Sequence, residues 1–247
     1  METLGAIGDD GIQTRLGEVQ DRIRAAAERA QRPPDSVALL AVSKTHGAES
    51  VHAAYTAGQR AFGESYVQEA IEKIALLADL TDIEWHFIGR IQANKTRQIA
   101  AHFGWVHGLS DPVHARRLSE QRPSGLPPLK VCIQVNVSDE VSKGGVEPDA
   151  VAALIAACEA LPGLDVRGLM TLPAPAEDEE AQRAPFRALR LLRDRLATPS
   201  RPLDCLSMGM SDDLEAAILE GATLVRVGTA VFGPRPYNAG YTASRAR

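Results

Sequence analysis

Lys44 closes the apolar run Ser36-Val-Ala-Leu-Leu-Ala-Val-Ser-Lys44, whose shortness and Val/Leu content mark a buried strand. Lysine is seldom fully buried, so its place there has two readings. Either the strand ends and the ammonium reaches solvent, or a partly desolvated lysine loses proton affinity and becomes a nucleophilic amine for Schiff-base chemistry. Arg226 interrupts the apolar stretch Leu224-Val-Arg-Val227, where a guanidinium pairs with a carboxylate or contacts a ligand. Two further segments suit an anion. Ser207-Met-Gly-Met-Ser-Asp-Asp213 places Ser207, Gly209, Met210 and Ser211 before a helical pattern, and Arg226-Val-Gly-Thr229 does the same with Gly228 and Thr229. Glycine lets backbone approach a ligand closely, and N–H groups at a helix start attract an anion. The plainer alternative is that Ser211 or Asp212 caps a helix and Gly228 turns the chain.

These residues need elements to gather them. Ile12, Leu16, Val19, Ile23 and Ala27 recur at spacings of four and three, which predicts an amphipathic helix over 11–31, ended by Pro33-Pro34. Beyond it, strand-like and helical patterns alternate. Strands are predicted at 37–43, 60–63, 84–89, 105–109, 129–136, 164–170, 203–208 and 223–227. Between them, Val67, Ala70, Ile71 and Ile74 share a helical face, as do Val151, Leu154, Ile155 and Cys158. Leu189, Leu192 and Leu196 form a third face, and Leu214, Ala217 and Ile218 a fourth. Regular alternation implies parallel strands joined by right-handed crossovers. Eight such units close into a (β/α)8 TIM barrel of the α/β class, with the leading helix added in front. A doubly wound open sheet is the alternative, but no GxGxxG follows the first strand. No linker divides the chain. The expected organisation is a flexible N-terminus at 1–10, one barrel domain over 11–237 and a flexible tail at 238–247.

In a barrel, chemistry collects at the C-terminal ends of the strands. Lys44 ends the first strand, Ser65 follows the second, His86 lies in the third, Asn136 ends the fifth and Met170 the sixth. The segment from Ser207 follows the seventh, and Arg226 lies in the eighth. Barrels often hold phosphate with the loops after strands seven and eight, where both glycine-containing turns fall. A Schiff-base lysine, a phosphate cradle and an inward arginine together suggest pyridoxal 5′-phosphate (PLP), held as a covalent aldimine on Lys44. Arg226 would face the pyridine nitrogen and disfavour its protonation. His86 either contacts the cofactor or is a hydrogen-bonded core histidine. The remaining histidines have no ligand spacing, so no metal is expected. Lys143, in the loop Ser142-Lys-Gly-Gly145, is an exposed turn lysine or a transient acceptor of PLP.

The segments Leu40-Ala-Val-Ser-Lys44, Phe62-Gly-Glu-Ser-Tyr-Val-Gln-Glu69, Trp85-His-Phe-Ile-Gly89 and Gln92-Ala-Asn-Lys95 continue a wider pattern. It runs on through Gln134-Val-Asn136, Ser142-Lys-Gly-Gly145, Arg167-Gly-Leu-Met170, Leu206-Ser-Met-Gly-Met-Ser-Asp-Asp213 and Val225-Arg-Val-Gly-Thr-Ala-Val-Phe-Gly233. In this order they resemble the pyridoxal phosphate homeostasis protein family, related to the N-terminal barrel of alanine racemase (fold-type III PLP proteins), over about residues 12–237. The resemblance implies PLP on Lys44, with Ser207, Met210, Ser211, Gly228 and Thr229 near the phosphate and Arg226 at the ring nitrogen. It also implies a role in keeping free PLP low and supplying it to apo PLP-dependent enzymes. Ser65 departs from the family's usual asparagine, so its hydrogen bond near the cofactor is expected to be shorter-reaching or water-mediated.

Composition bounds the remaining choices. The chain has 247 residues, a net charge of −5 and 4% aromatics, with no basic block, which gives no support to nucleic-acid binding, so no nucleic-acid partner is expected. Cys132, Cys158 and Cys205 are scattered and odd in number, which fits a reducing compartment. With no signal pattern and no apolar stretch of membrane-spanning length, a cytoplasmic protein without a membrane partner is expected. An uncovered barrel mouth suggests a monomer. A racemase of this cofactor type needs two bases on opposite faces of the substrate, and no tyrosine here falls at a strand end to serve as the second. The expected function is therefore binding and delivery of PLP without strong turnover. The alternatives are a PLP-dependent amino-acid racemase of weak activity and a Schiff-base aldolase-type barrel working without PLP.

Overall fold

A computed structural model describes residues 9–137 and 144–234. Helix α1 (Asp9–Arg29) is followed by β1 (Ala38–Val42), α2 (Ala48–Thr56), β2 (Ala61–Glu64), α3 (Val67–Leu76), β3 (Glu84–Phe87), α4 (Thr96–His102), β4 (Trp105–Leu109) and α5 (Pro112–Glu120). The second half runs β5 (Leu129–Gln134), α6 (Val151–Glu159), β6 (Leu164–Met170), α7 (Glu179–Leu196), β7 (Cys205–Ser207), α8 (Leu214–Leu219), β8 (Leu224–Val227) and α9 (Thr229–Phe232). The eight strands pair in chain order, all parallel, and β8 pairs with β1 to close the barrel. All eight predicted strands are present, with the extra helix in front. No described helix is long and apolar enough to cross a membrane.

Element ends differ from the apolar runs for local reasons. Helix α1 stops at Arg29 because Gln31 adopts a left-handed conformation, φ 56°. The Gln31 N–H then donates to the Glu28 carbonyl and the Arg32 N–H to that of Ala27. This is a Schellman termination built on glutamine rather than glycine, which is why composition did not announce it. Strand β7 begins at Cys205 rather than 203 because Leu203 is also left-handed, φ 47°. Beyond β5, Asn136 N–H donates to the Val146 carbonyl, so the chain pairs with the returning loop rather than continuing the barrel wall.

Strand alternation sorts side chains between two compartments. Leu39, Ala41, Phe62, Trp85, Phe87, Val106, Val225 and Val227 join the large core between barrel and helices. The barrel interior holds a small apolar cluster of Leu40, Cys132, Met170, Cys205 and Leu224. Beside it lie the buried polar side chains of His86, His107, Ser207 and Arg226. Gly168 makes this interior possible at β6: a Cβ there would stand 1.7 Å from the Cys205 carbonyl oxygen, which belongs to the neighbouring strand backbone. Gly168→Ala is expected to destabilise the fold by at least about 2 kcal/mol, since β6 and β7 must separate to admit a methyl group. Urea unfolding checks this, and an unchanged midpoint would contradict it.

Candidate functional site

A cavity of about 520 Å³ opens at the C-terminal rim of the strands. Of the residues singled out from sequence, Lys44, Ser65, Met170, Met210, Ser211, Arg226, Gly228 and Thr229 line it. Lys44 reaches it because Leu40, Val42 and Lys44 share one face at period two, and Val42 also lines the wall. Gly228 sits against β1, where an added Cβ would lie 3.2 Å from the Val42 carbonyl oxygen. Glycine keeps this approach of β8 to β1 free of a tight contact beside the lysine.

Arg226 forms the floor. It is 5% exposed, and its guanidinium donates through Nη1 to Ser207 Oγ (2.8 Å) and through Nη2 to the Thr171 carbonyl (2.9 Å). Burial pulls its pKa down to about 10, with Asp213 opposing, so it is a cation at neutral pH. Five N–H donors on a guanidinium leave hydrogens beyond those two bonds for a ligand.

Below it runs a buried relay that sequence reading missed. Ser207 Oγ is 2.7 Å from His107 Nδ1, and His107 Nε2 is 2.9 Å from His86 Nδ1. Arg226 can only donate, so Ser207 Oγ accepts from it and its own O–H can donate a hydrogen bond to His107 Nδ1. That assigns the proton of His107 to Nε2, directed at His86 Nδ1, and the proton of His86 to Nε2. His86 Nε2 then points toward Glu84 Oε2 at 3.8 Å, too far for a direct bond. The opposite polarity would aim a lone pair at that carboxylate. His86 also stacks on Trp105, ring centroids 5.4 Å apart. His86 is therefore a core histidine two hydrogen bonds below Ser207, not a cavity-lining residue. Its partner His107 carries the one available signal, a histidine in the apolar run Trp105-Val-His-Gly-Leu109.

The rim next to Lys44 is made by the turns after β7 and β8. Gly209 has φ 94°, and its carbonyl accepts from Arg226 N–H. Gly209 and Ser207 shape the turn from behind rather than lining the cavity. Asp213 accepts the Met210 N–H, and burial pushes its carboxyl pKa up against that bond. Arg22 of α1, unforeseen from sequence, lines the cavity, donates to the Ser211 carbonyl (2.9 Å) and pairs with Glu215 (2.7 Å). Thr229 opens α9, where the first N–H groups have no intrahelical acceptor, and Ser211 lies in the turn that leads into α8. Asn136 is turned away from this cavity; its side-chain amide donates to Glu147 at 3.3 Å. Lys143, Tyr237 and Tyr241 lie outside the described residues.

This donor set fits PLP: Lys44 and, on the neighbouring turns, the hydroxyl residues Ser211 and Thr229 line the cavity, with an arginine at the floor. Burial holds the pKa of His86 and, more strongly, of His107 below the ordinary histidine value. In the unfolded chain each takes up a proton below about pH 6.5, so stability rises with pH and is lost as pH falls through that value. His107→Gln should flatten the pH dependence of urea unfolding between about pH 7 and 5 by close to one proton. An unchanged slope would show that His107 is not held neutral.

Known proteins resemble this chain in sequence and fold. The family profile for the alanine racemase N-terminal domain matches residues 14–236. The chain is 57% identical over 228 residues to the pyridoxal phosphate homeostasis protein of Pseudomonas aeruginosa, covering 92% of this chain and 97% of that one. It is 48% identical to the protein of the same name from Escherichia coli K12, covering 92% and 98%. Among solved structures, PipY of Synechococcus elongatus with PLP bound superposes with a TM-score of 0.79 at 38% identity, covering 90% of this chain and all of that one. Alanine racemase from Corynebacterium glutamicum, at 22% identity and a TM-score of 0.64, shares the fold. The chain belongs to the pyridoxal phosphate homeostasis protein family, built on the barrel of the alanine racemase N-terminal domain.

Proposed function

We propose that this protein binds PLP at the rim cavity, holds it as a Schiff base on Lys44 and supplies it to apo PLP-dependent enzymes. The observation that carries the reading is the meeting of Lys44, Arg226 and the two turns after β7 and β8 in one cavity. When bound, PLP supplies an aldehyde for an amine and a ring that withdraws electrons from what is attached to it. The chain's own residues fix how far that chemistry goes. Arg226 is a cation held by a hydroxyl and a carbonyl, so it opposes protonation of a ring nitrogen facing it and keeps the ring a weak electron sink. The turns at Ser211 and Thr229 offer N–H groups to the phosphate, and Arg22 steadies the first of them through the Ser211 carbonyl. Ser65 is on the wall, where its short hydroxyl leaves room for a bridging water in place of a direct contact.

Binding rather than turnover is supported by the composition of the wall. Racemisation needs a proton donor and acceptor on each face of the substrate. Among the described residues lining the cavity there is no tyrosine and no histidine, and the one carboxylate, Asp212, belongs to the turn after β7.

A near-visible absorption band on mixing with PLP, abolished in Lys44→Ala, is the expected result. A band of equal strength in Lys44→Ala would overturn the linkage. Incubation with a panel of L-amino acids should leave them unracemised, whereas sustained formation of D-enantiomers would replace the carrier reading with a racemase. Transfer to an apo-enzyme should proceed faster from the loaded protein than from free PLP released at its measured off-rate; equal rates would argue against direct supply.

A further inference from the structure

The segment Gly63-Glu-Ser-Tyr-Val-Gln-Glu69, continued to Lys73, carries more buried charge than a strand-to-helix turn requires. Lys73 lies on the buried face of α3, 4% exposed, one turn beyond Ala70. Its ammonium donates to the Ser43 carbonyl (2.7 Å), Glu64 Oε1 (2.7 Å) and Glu69 Oε1 (2.6 Å). All three protons of the ammonium are thereby used. Ser43 Oγ donates to the same Glu64 oxygen (2.6 Å), and the Thr45 N–H donates to Glu69 Oε1 (2.6 Å). Ser43 and Thr45 are the two neighbours of Lys44. The peptide that carries the lysine is therefore gripped on both sides by a single cation and its two carboxylates.

Two features say that the cluster serves geometry rather than stability. A buried ion pair is rarely a better stabiliser than apolar residues of the same volume, and here Glu64 Oε2 is buried with no hydrogen-bond partner. Thr45 is held at φ 68°, a left-handed conformation that a β-branched residue adopts only under constraint. The bond from Thr45 N–H to Glu69 supplies that constraint. None of Glu64, Glu69 and Lys73 lines the cavity; they stand behind it, between β2 and α3.

We propose that Lys73, Glu64 and Glu69 are positioning residues that fix the backbone on either side of Lys44 and so set the direction of its amine. The inference rests on the Schiff-base reading. To form that link the unprotonated amine adds to the aldehyde carbon. A C=N bond replaces C=O, and the oxygen leaves as water with the two amine protons. The addition needs the nitrogen lone pair aimed at the carbonyl carbon, which an unfixed Ser43-Lys44-Thr45 segment does not hold.

The test separates the covalent step from the non-covalent one. Glu69→Ala removes the Thr45 acceptor at a position with 24% side-chain exposure and leaves the Lys73–Glu64 pair intact. Glu69→Gln keeps an acceptor oxygen. The double variant Glu64→Gln/Lys73→Met removes both buried charges together, so neither is stranded. Each is titrated with PLP by its near-visible band and, by calorimetry, with pyridoxine 5′-phosphate, which has an alcohol in place of the aldehyde. The expected result is about tenfold weaker PLP binding in Glu69→Ala and in the double variant, largely restored in Glu69→Gln, with pyridoxine 5′-phosphate affinity within about twofold of wild type. Unchanged PLP affinity, or a parallel loss for both ligands, would overturn the clamp while leaving Lys44 as the linking residue. Absence of the band in the wild-type protein would remove the Schiff-base reading itself, and the clamp with it.

Discussion

Pairing of β8 with β1 is the constraint on which the site depends. Leu40 stands opposite Arg226 and Ala41 opposite Val227, so the strand that ends in the lysine and the strand that carries the arginine are hydrogen-bonded neighbours despite their distance in the chain. Gly228 then rests against Val42, where a Cβ would stand 3.2 Å from the Val42 carbonyl oxygen and the strands would have to ease apart by a few tenths of an ångström. An open sheet of the same eight strands would leave β1 and β8 at opposite edges, with the lysine on one and the phosphate-suited turns on the other. Closure makes one cavity of them.

A buried arginine has to be satisfied without being neutralised if it is to act on a ligand. A carboxylate partner would cancel its field at the cavity floor. This protein instead gives Arg226 a hydroxyl and a carbonyl, and the hydroxyl is itself satisfied by His107 and, through it, His86. Two neutral histidines deep in the barrel thus act as acceptors, extending the reach of Arg226 without adding countercharge. The interior gives up apolar volume for this relay: among the described residues its cluster has five buried apolar residues, with Ala61, Ile88, Trp105 and Leu172 packed against them partly buried. The bulk of the hydrophobic stabilisation comes from the other face of the strands, against the helices.

Much of this was legible in the residues. Eight apolar runs separated by helical faces determine a barrel, and the positions of Lys44, Ser211, Arg226 and Thr229 at run ends place them on one rim. What could not be read are relations that period and composition do not encode. Gln31 ends α1 in a conformation usually taken by glycine. Asn136 sits at a strand end yet turns to Glu147, because the chain there pairs with its own returning loop. Lys73 and Glu64 are ordinary surface types until the fold buries them together. One cue was present: Lys73 follows Val67 and Ala70 along the buried stripe of α3 and stands four residues after Glu69.

The identity of the amine that takes PLP decides whether Lys44 is the linking residue. Borohydride reduction of the PLP-loaded protein, followed by proteolysis and mass mapping, makes the linkage permanent and locates it. The expected result is a single phosphopyridoxyl adduct on the peptide containing Lys44, at a stoichiometry near one per chain. A principal adduct on any other lysine, with the Lys44 peptide unmodified, would contradict it.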